Sequence, residues 1–228
     1  KYLKGLLQDL CHFINPPLCL HCKSPLEPSL KHLCLECHSQ ISTPLNFPWS
    51  TNQNAKIKLD NEVLVYVLFY YQKRGSLQTL FKTLKYRDNK HIASFLFFLS
   101  LKYLKFKIAP ELICCIPLHP KKLKKRGYNQ LHLFSMHLAK HLGIPFEANL
   151  LERMKNNRSQ AERKSEDKFR QTSIIPFKYC GDKRFRNKNI LLIDDIITSG
   201  QTIRSAVISL KEAHGFKIQI LSIASRLS

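Results

Sequence analysis

The sequence predicts an α/β fold, a mostly parallel twisted sheet with flanking helices, preceded by a small four-cysteine module. Three observations carry this expectation. From Glu62 onward, apolar runs of strand length alternate with longer segments of helical periodicity, the order that gives parallel strands joined by crossover helices. Hydrophobic residues make up 44% of the 228 residues, enough to fill one ordinary α/β core with a small appendage. Four of the eight cysteines fall in two tight pairs near the N-terminus.

Taken in chain order, Leu3, Leu6, Leu7, Leu10 and Ile14 fall three and four apart, which predicts an amphipathic helix over Lys1 to Ile14, stopped by Pro16 and Pro17. One apolar stripe is expected to dock against the rest of the protein and is unlike the solid apolar rod of a secretory signal. No run of 18 uncharged apolar residues occurs, so no stable membrane insertion is expected and the expected location is cytoplasmic. This helix and the cysteine module occupy residues 1–45, and the polar stretch 46–61, with Pro48 and little periodicity, reads as a linker.

Residues 62–228 form the main domain. Glu62 to Tyr70 reads as a strong strand, Ser76 to Tyr86 and His91 to Phe106 as helices, and Leu112 to Ile116 as a short buried strand. The basic run Lys121 to Arg126 reads as a loop. Tyr128 to Leu142 reads as a helix closed by Gly143. A strand at Ile190 to Ile193, a helix at Gln201 to His214 stopped by Gly215, and a last strand at Lys217 to Ala224 complete the order.

Cys19-x-x-Cys22 and Cys34-x-x-Cys37 are separated by eleven residues. Each pair presents two thiolates at one turn, and two such turns complete a closed tetrahedral S4 site, the pattern of a structural Zn2+. A disulfide framework would spread its cysteines along the chain, so the close pairs point to metal in a reducing compartment. Redox use is the rival reading, though one pair would suffice for it. His12, His21, His32 and His38 lie near the cysteines without being needed as ligands.

Charge narrows the partners. Lys and Arg number 37 against 16 Asp and Glu, a formal charge of +21. A lysine-rich coding bias accounts for many lysines but not for so few acids. A field of this sign draws polyanions, nucleic acid and small phosphorylated ligands alike.

The most informative stretch is Leu191-Leu192-Ile193-Asp194-Asp195-Ile196-Ile197-Thr198-Ser199-Gly200-Gln201-Thr202. An apolar strand runs into two adjacent acids, which a core cannot hide unpaired, so they belong at the carboxyl edge of the sheet where open α/β folds keep their ligands. Thr198, Ser199 and Gly200 then form a small-residue turn that opens a helix. Backbone N–H groups at a helix start, with two hydroxyls, cradle a phosphate, while the carboxylates face sugar hydroxyls or a hydrated Mg2+ between them.

This segment resembles the phosphoribosyl-pyrophosphate signature of type I phosphoribosyltransferases; no G-x-x-x-x-G-K-[ST] loop occurs. The resemblance implies a type I phosphoribosyltransferase-like sheet that binds phosphoribosyl pyrophosphate with Mg2+ through Asp194, Asp195, Thr198, Ser199, Gly200, Gln201 and Thr202. In the family's 6-oxopurine members an Asp stands at the position of Thr198 and serves as base, so catalysis on a 6-oxopurine is not expected. Ile116-Pro117-Leu118-His119-Pro120 and the basic run after it match the place where type I enzymes hold the pyrophosphate. Leu118, His119, Lys121 and Arg126 are the candidates there, with cations placed to neutralise a leaving diphosphate.

Together these features are similar to the ComF-type proteins, named for competence in natural DNA transformation, which join a four-cysteine zinc module to a phosphoribosyltransferase-like domain. The likeness runs through Leu84-Lys85-Tyr86, Arg126-Gly127-Tyr128-Asn129-Gln130, Arg153 to Gln160, and the acid pair with its turn. Lys168 and Gln171 depart from an Arg and Asn common in the family. The resemblance implies handling of imported single-stranded DNA, beside a DNA-uptake helicase as partner. Lys124, Lys125, Arg126, Arg153, Lys155, Arg158, Arg163 and Lys164 are the candidate DNA contacts, and Phe47, Trp49 and Tyr128 the candidate stacking aromatics. A genuine phosphoribosyltransferase of nucleotide salvage, releasing pyrophosphate, is the alternative, and an interaction module with a vestigial site is a third reading. No base-directed carboxylate is readable, and whether the site is catalytic is left open by the sequence.

Overall fold

The computed structural model describes residues 16–43, 59, 62–85, 89–154, 177–214 and 216–226. The expected helix over Lys1 to Ile14 and nearly all of the 46–61 linker lie outside the described residues, as do Lys155, Arg158, Arg163, Lys164, Lys168, Gln171, Phe47 and Trp49.

The four principal strands are β1 (Leu64–Tyr70), β2 (Leu112–Cys115), β5 (Asn189–Ile197) and β6 (Lys217–Ser225), in the order β1-β6-β5-β2. Every pairing among them is parallel. Their side chains alternate between two cores. Tyr66, Leu68, Ile113, Cys115, Leu191, Ile193, Leu221 and Ile223 enter one. Val65, Val67, Leu112, Cys114, Ile190, Leu192, Ile218 and Ile220 enter the other. Both faces are covered, which is why these strands read as continuous apolar runs instead of alternating ones.

Helices α2 (Ser76–Leu84), α3 (His91–Ser100) and α5 (Gln130–Leu142) contribute buried side chains to the first core, and α6 (Gln201–His214) to the second. Leu77, Leu80, Phe81 and Leu84 of α2, and Ile203, Ala206, Val207 and Leu210 of α6, show the three-and-four spacing that buries one helical stripe. The cysteine module joins the first core through Cys19, Leu26, Leu33 and Cys37. It carries the short helix α1 (Leu35–Ser39). No described helix is long and apolar enough to cross a membrane.

Strand β5 runs through Asp194 and Asp195 to Ile197, past the expected end at Ile193, and three further features differ from expectation. The basic run expected as a loop is helix α4 (Pro120–Arg126): Pro120 starts it, His119 Nδ1 accepts from Lys121 N at 3.2 Å, and Gly127 closes it at φ 74°. These are strong start and stop devices in a segment with no apolar period, and cations in the last turn suit the helix dipole. Helix α3 ends at Ser100, where Ser100 Oγ donates to Phe97 O at 2.7 Å and a 3-10 turn over Leu101–Tyr103 follows, short of the expected Phe106. Finally, β3 (Leu151–Arg153) and β4 (Phe177–Tyr179) form a small antiparallel pair with no counterpart in the expected element order.

Candidate functional site

The two C-x-x-C turns bring one sulfur from each of Cys19, Cys22, Cys34 and Cys37 to within 4.8 Å of one another. Cys22 Sγ and Cys34 Sγ lie 3.6 Å apart. A tetrahedral S4 zinc with bonds of ~2.3 Å sets its sulfurs ~3.8 Å apart, so the four thiols fit that group and can hold a metal ion. Local backbone supports them, with Cys34 N donating to Cys19 Sγ at 3.4 Å and Cys37 N to Cys34 Sγ at 3.5 Å. The first turn closes through Lys23, whose N donates to Cys19 O at 3.0 Å and whose φ is 67°. Hydrogen bonds from the Ser24 side chain and backbone bring the exposed Cys22 thiol down to about 6. Burial, with the neighbouring cysteines, pushes the Cys37 thiol up. His21 and His32 do other work: His21 Nδ1 meets Thr79 Oγ1 of α2 at 3.0 Å, and His32 stacks on His91 and against the edge of Phe95 on α3.

A second site lies at the carboxyl edge of the sheet. Because all four principal strands run the same way, the ends of β2 and β5 open side by side, and Ile116 N donates to Ile193 O at 2.9 Å just before they part. A cavity of about 200 Å³ opens there. Its lining includes Asp194, Asp195 and Thr202 from β5 and α6, Pro117 and Leu118 after β2, and four cations, Lys85, Lys122, Arg126 and Arg153. One small hollow is therefore lined by both an acid pair and four cations.

The acids differ in environment. Asp194 is 7% exposed and its Oδ1 accepts from Asp195 N at 2.9 Å. Burial first, and the adjacent Asp195 charge second, push its carboxyl well above the usual range. Asp195 is half-buried, accepting from Ile196 N at 2.8 Å through Oδ1 and from Gln130 Nε2 at 3.0 Å through Oδ2. The segment that includes Gln130 is a brace. Arg126 Nη1 donates to Gln130 Oε1 at 2.8 Å, Asn129 Nδ2 donates to Ile116 O at 3.0 Å, and Tyr128 Oη donates to Leu84 O at the end of α2. Asn129 also caps α5, its Oδ1 accepting from Leu131 N at 3.1 Å.

Of the sequence-derived candidates, Asp194, Asp195, Thr202, Leu118, Arg126 and Arg153 come together in the cavity lining. Thr198 and Ser199 are exposed on the turn, Gly200 is buried with φ 71°, and Gln201 begins α6; these four are outside that lining. His119 caps α4, and Lys121, Lys124 and Lys125 are exposed along it. Tyr128 is half-buried with its hydroxyl committed to Leu84 O. Arg153 lies over the Phe177 ring at 6.0 Å, and burial lowers its affinity for its proton. Lys85, Lys122 and Gln130 were not among the candidate ligand contacts. The signal for Gln130 was present in Arg126-Gly127-Tyr128-Asn129-Gln130, and that for Lys122 in the basic run.

No protein-family model matches the chain. It is 27% identical over 228 residues to Competence protein F of Haemophilus influenzae, a match covering 90% of this chain and 96% of that protein. It is 25% identical over 209 residues to Competence protein ComFC of Bacillus subtilis, covering 86% of this chain and 78% of that protein. Among solved structures, adenine phosphoribosyltransferase from Leishmania tarentolae aligns with 73% of this chain and 93% of its own, at 17% identity and a TM-score of 0.39. The adenine phosphoribosyltransferase from Thermoanaerobacter pseudethanolicus aligns with 60% of this chain and 82% of its own, at 14% identity and a TM-score of 0.36.

Proposed function

We propose that this chain, a ComF-type protein with a phosphoribosyltransferase-like domain, serves natural transformation by handling imported single-stranded DNA in the cytoplasm, and that its sheet-edge cavity binds phosphoribosyl pyrophosphate with Mg2+. The observation that carries the ligand reading is the pairing, in one hollow, of Asp194 and Asp195 with Lys85, Lys122, Arg126 and Arg153. A phosphorylated ribose carrying a diphosphate needs both halves. Its hydroxyls, or a hydrated Mg2+ on them, suit carboxylates, and its phosphates suit cations and helix-start amides. Mg2+ would be held by Asp194 and Asp195, and would supply charge neutralisation for the diphosphate. In the cysteine cluster, the metal is Zn2+ with a structural role.

Calorimetric titration with phosphoribosyl pyrophosphate tests the site. One binding event per chain is expected with Mg2+, weakened about tenfold or more, some 1.4 kcal/mol, when Mg2+ is omitted; absence of heat under both conditions would remove the ligand reading. Incubation with a panel of bases separates binder from enzyme, since a nucleotide-salvage transferase must release pyrophosphate with at least one of them.

The DNA reading rests on α4. Lys122 and Arg126, four residues apart, line the cavity, whereas Lys121, Lys124 and Lys125 are exposed elsewhere on the same short helix. Single-stranded oligonucleotide binding is expected to weaken steeply with salt, with a log–log slope of about −0.7 for each phosphate neutralised. Replacing Lys124 and Lys125 together by alanine should make that slope shallower by about 1.4 if each meets one phosphate. A wild-type response that is flat with salt would sink the DNA reading.

A further inference from the structure

Gln130 lines the cavity and touches one of its cations and one of its acids. Its side-chain oxygen accepts from Arg126 Nη1 at 2.8 Å while its side-chain nitrogen donates to Asp195 Oδ2 at 3.0 Å. It is 3% exposed and is the first residue of α5, directly after Asn129, which fixes that helix to the end of β2. A neutral amide thus joins a cation to a carboxylate, using one atom for each. No direct ion pair joins Arg126 to Asp195 among the described residues.

We infer that Gln130 is a positioning residue whose amide keeps Arg126 and Asp195 from closing on each other, so that both stay presented to a ligand with an anionic and a cation- or hydroxyl-bearing end. Guanidinium and carboxylate make short, paired hydrogen bonds when they meet, and the attraction grows as water is excluded. A site with both groups in one small hollow would collapse onto itself in the absence of ligand. An amide satisfies a donor on one side and an acceptor on the other without cancelling either charge. Methionine at this position would have similar length and no such function. The inference rests on the proposed ligand only for the identity of what the two groups receive.

The test is made first without ligand. A double-mutant cycle of Arg126→Met and Asp195→Asn is read as melting temperature in the wild-type and Gln130→Met backgrounds. The two single changes are expected to couple weakly in the wild type, through the amide they share, and more strongly in Gln130→Met, where the direct pair forms and the non-additivity grows by about 3 °C or more. Equal cycles in both backgrounds overturn the inference. Gln130→Glu supplies the second reading and covers a methionine variant that does not fold. The neutral acid mimics the amide, whereas the ionised acid pairs with Arg126 and repels Asp195. Inorganic pyrophosphate affinity of this variant should therefore drop progressively relative to wild type as pH rises, and recover toward wild type as pH falls. A ratio independent of pH also overturns the inference. Failure of wild-type protein to bind phosphoribosyl pyrophosphate would sink the proposed ligand but leave the ligand-free cycle decisive for Gln130.

Discussion

Cys34→Ser is expected to lose the bound metal and unfold residues 16–43, lowering the melting temperature by on the order of 10 °C. The reason lies in how little else holds the module. Its regular structure is the five-residue helix α1 and an isolated bridge between Leu18 and Pro25. A helix of that length is not stable by itself in water, so the free energy of metal binding is folding free energy here. Cys34 is central to the cluster, with its Sγ 3.6 Å from Cys22 Sγ and accepting from Cys37 N. Its loss also reaches the main domain, because Leu26 and Leu33 share one core with Leu77, Leu80 and Phe81 of α2. The His21–Thr79 hydrogen bond and the His32 stack on His91 fasten the module to α2 and α3. Native mass spectrometry should show one zinc per wild-type chain and none in the variant, and limited proteolysis should cut within 16–43 before the sheet. Cys180→Ser, at an exposed thiol outside the cluster, is the control and should leave both readings unchanged. A Cys34→Ser protein that melts with the wild type would show that metal is dispensable to the fold.

What could be read in advance follows from range. The acid pair, the turn after it and α6 were legible because each signal sits within a few consecutive residues: an apolar strand, two carboxylates, small residues, then a three-and-four stripe from Ile203 to Leu210. The cysteine cluster was legible for the same reason, since two turns and a spacer define its geometry. Helix α4 was not, because Pro120 to Arg126 has no apolar period and its formation depends on His119 and Gly127 at its ends. The pair β3 and β4 comprises three residues on each side, too short for a period-two pattern to register. Lys85 and Arg153 meet at the cavity from 68 positions apart in sequence, through the end of α2 and the end of β3, and no local pattern marks such a meeting. Gln130 was visible as part of a motif, but its bridging role needed Arg126 and Asp195 in place.

Asp194→Asn combined with Asp195→Asn is expected to weaken phosphoribosyl pyrophosphate binding by 100-fold or more, about 3 kcal/mol, and the single Asp194→Asn change should at the same time stabilise the empty protein. Both effects come from one burial. Enclosure at the end of β5, and then the neighbouring Asp195 charge, hold the Asp194 carboxyl well above its ordinary value of 3.8. The folded chain therefore keeps a proton that the unfolded chain has already released, so stability falls as pH rises from about 4 through the raised folded value. Asparagine has no such proton. The melting temperature of Asp194→Asn should exceed that of the wild type by a margin that widens as pH rises from 5 toward 9, each kcal/mol corresponding to about 2–4 °C in a chain of this size. Mg2+ with phosphoribosyl pyrophosphate favours the ionised carboxylate, so wild-type binding should release a proton and tighten with pH, whereas binding by the variant should show neither. Calorimetry in buffers of different ionisation enthalpy reads the proton directly. If wild-type affinity is flat with pH and the melting curves run parallel, Asp194 is not the group that exchanges its proton for the ligand. The proposed site would then have to depend on Asp195 alone. A carboxylate that costs the empty fold stability is what a cation- or sugar-binding edge requires, because the acid must be held where only the ligand relieves it.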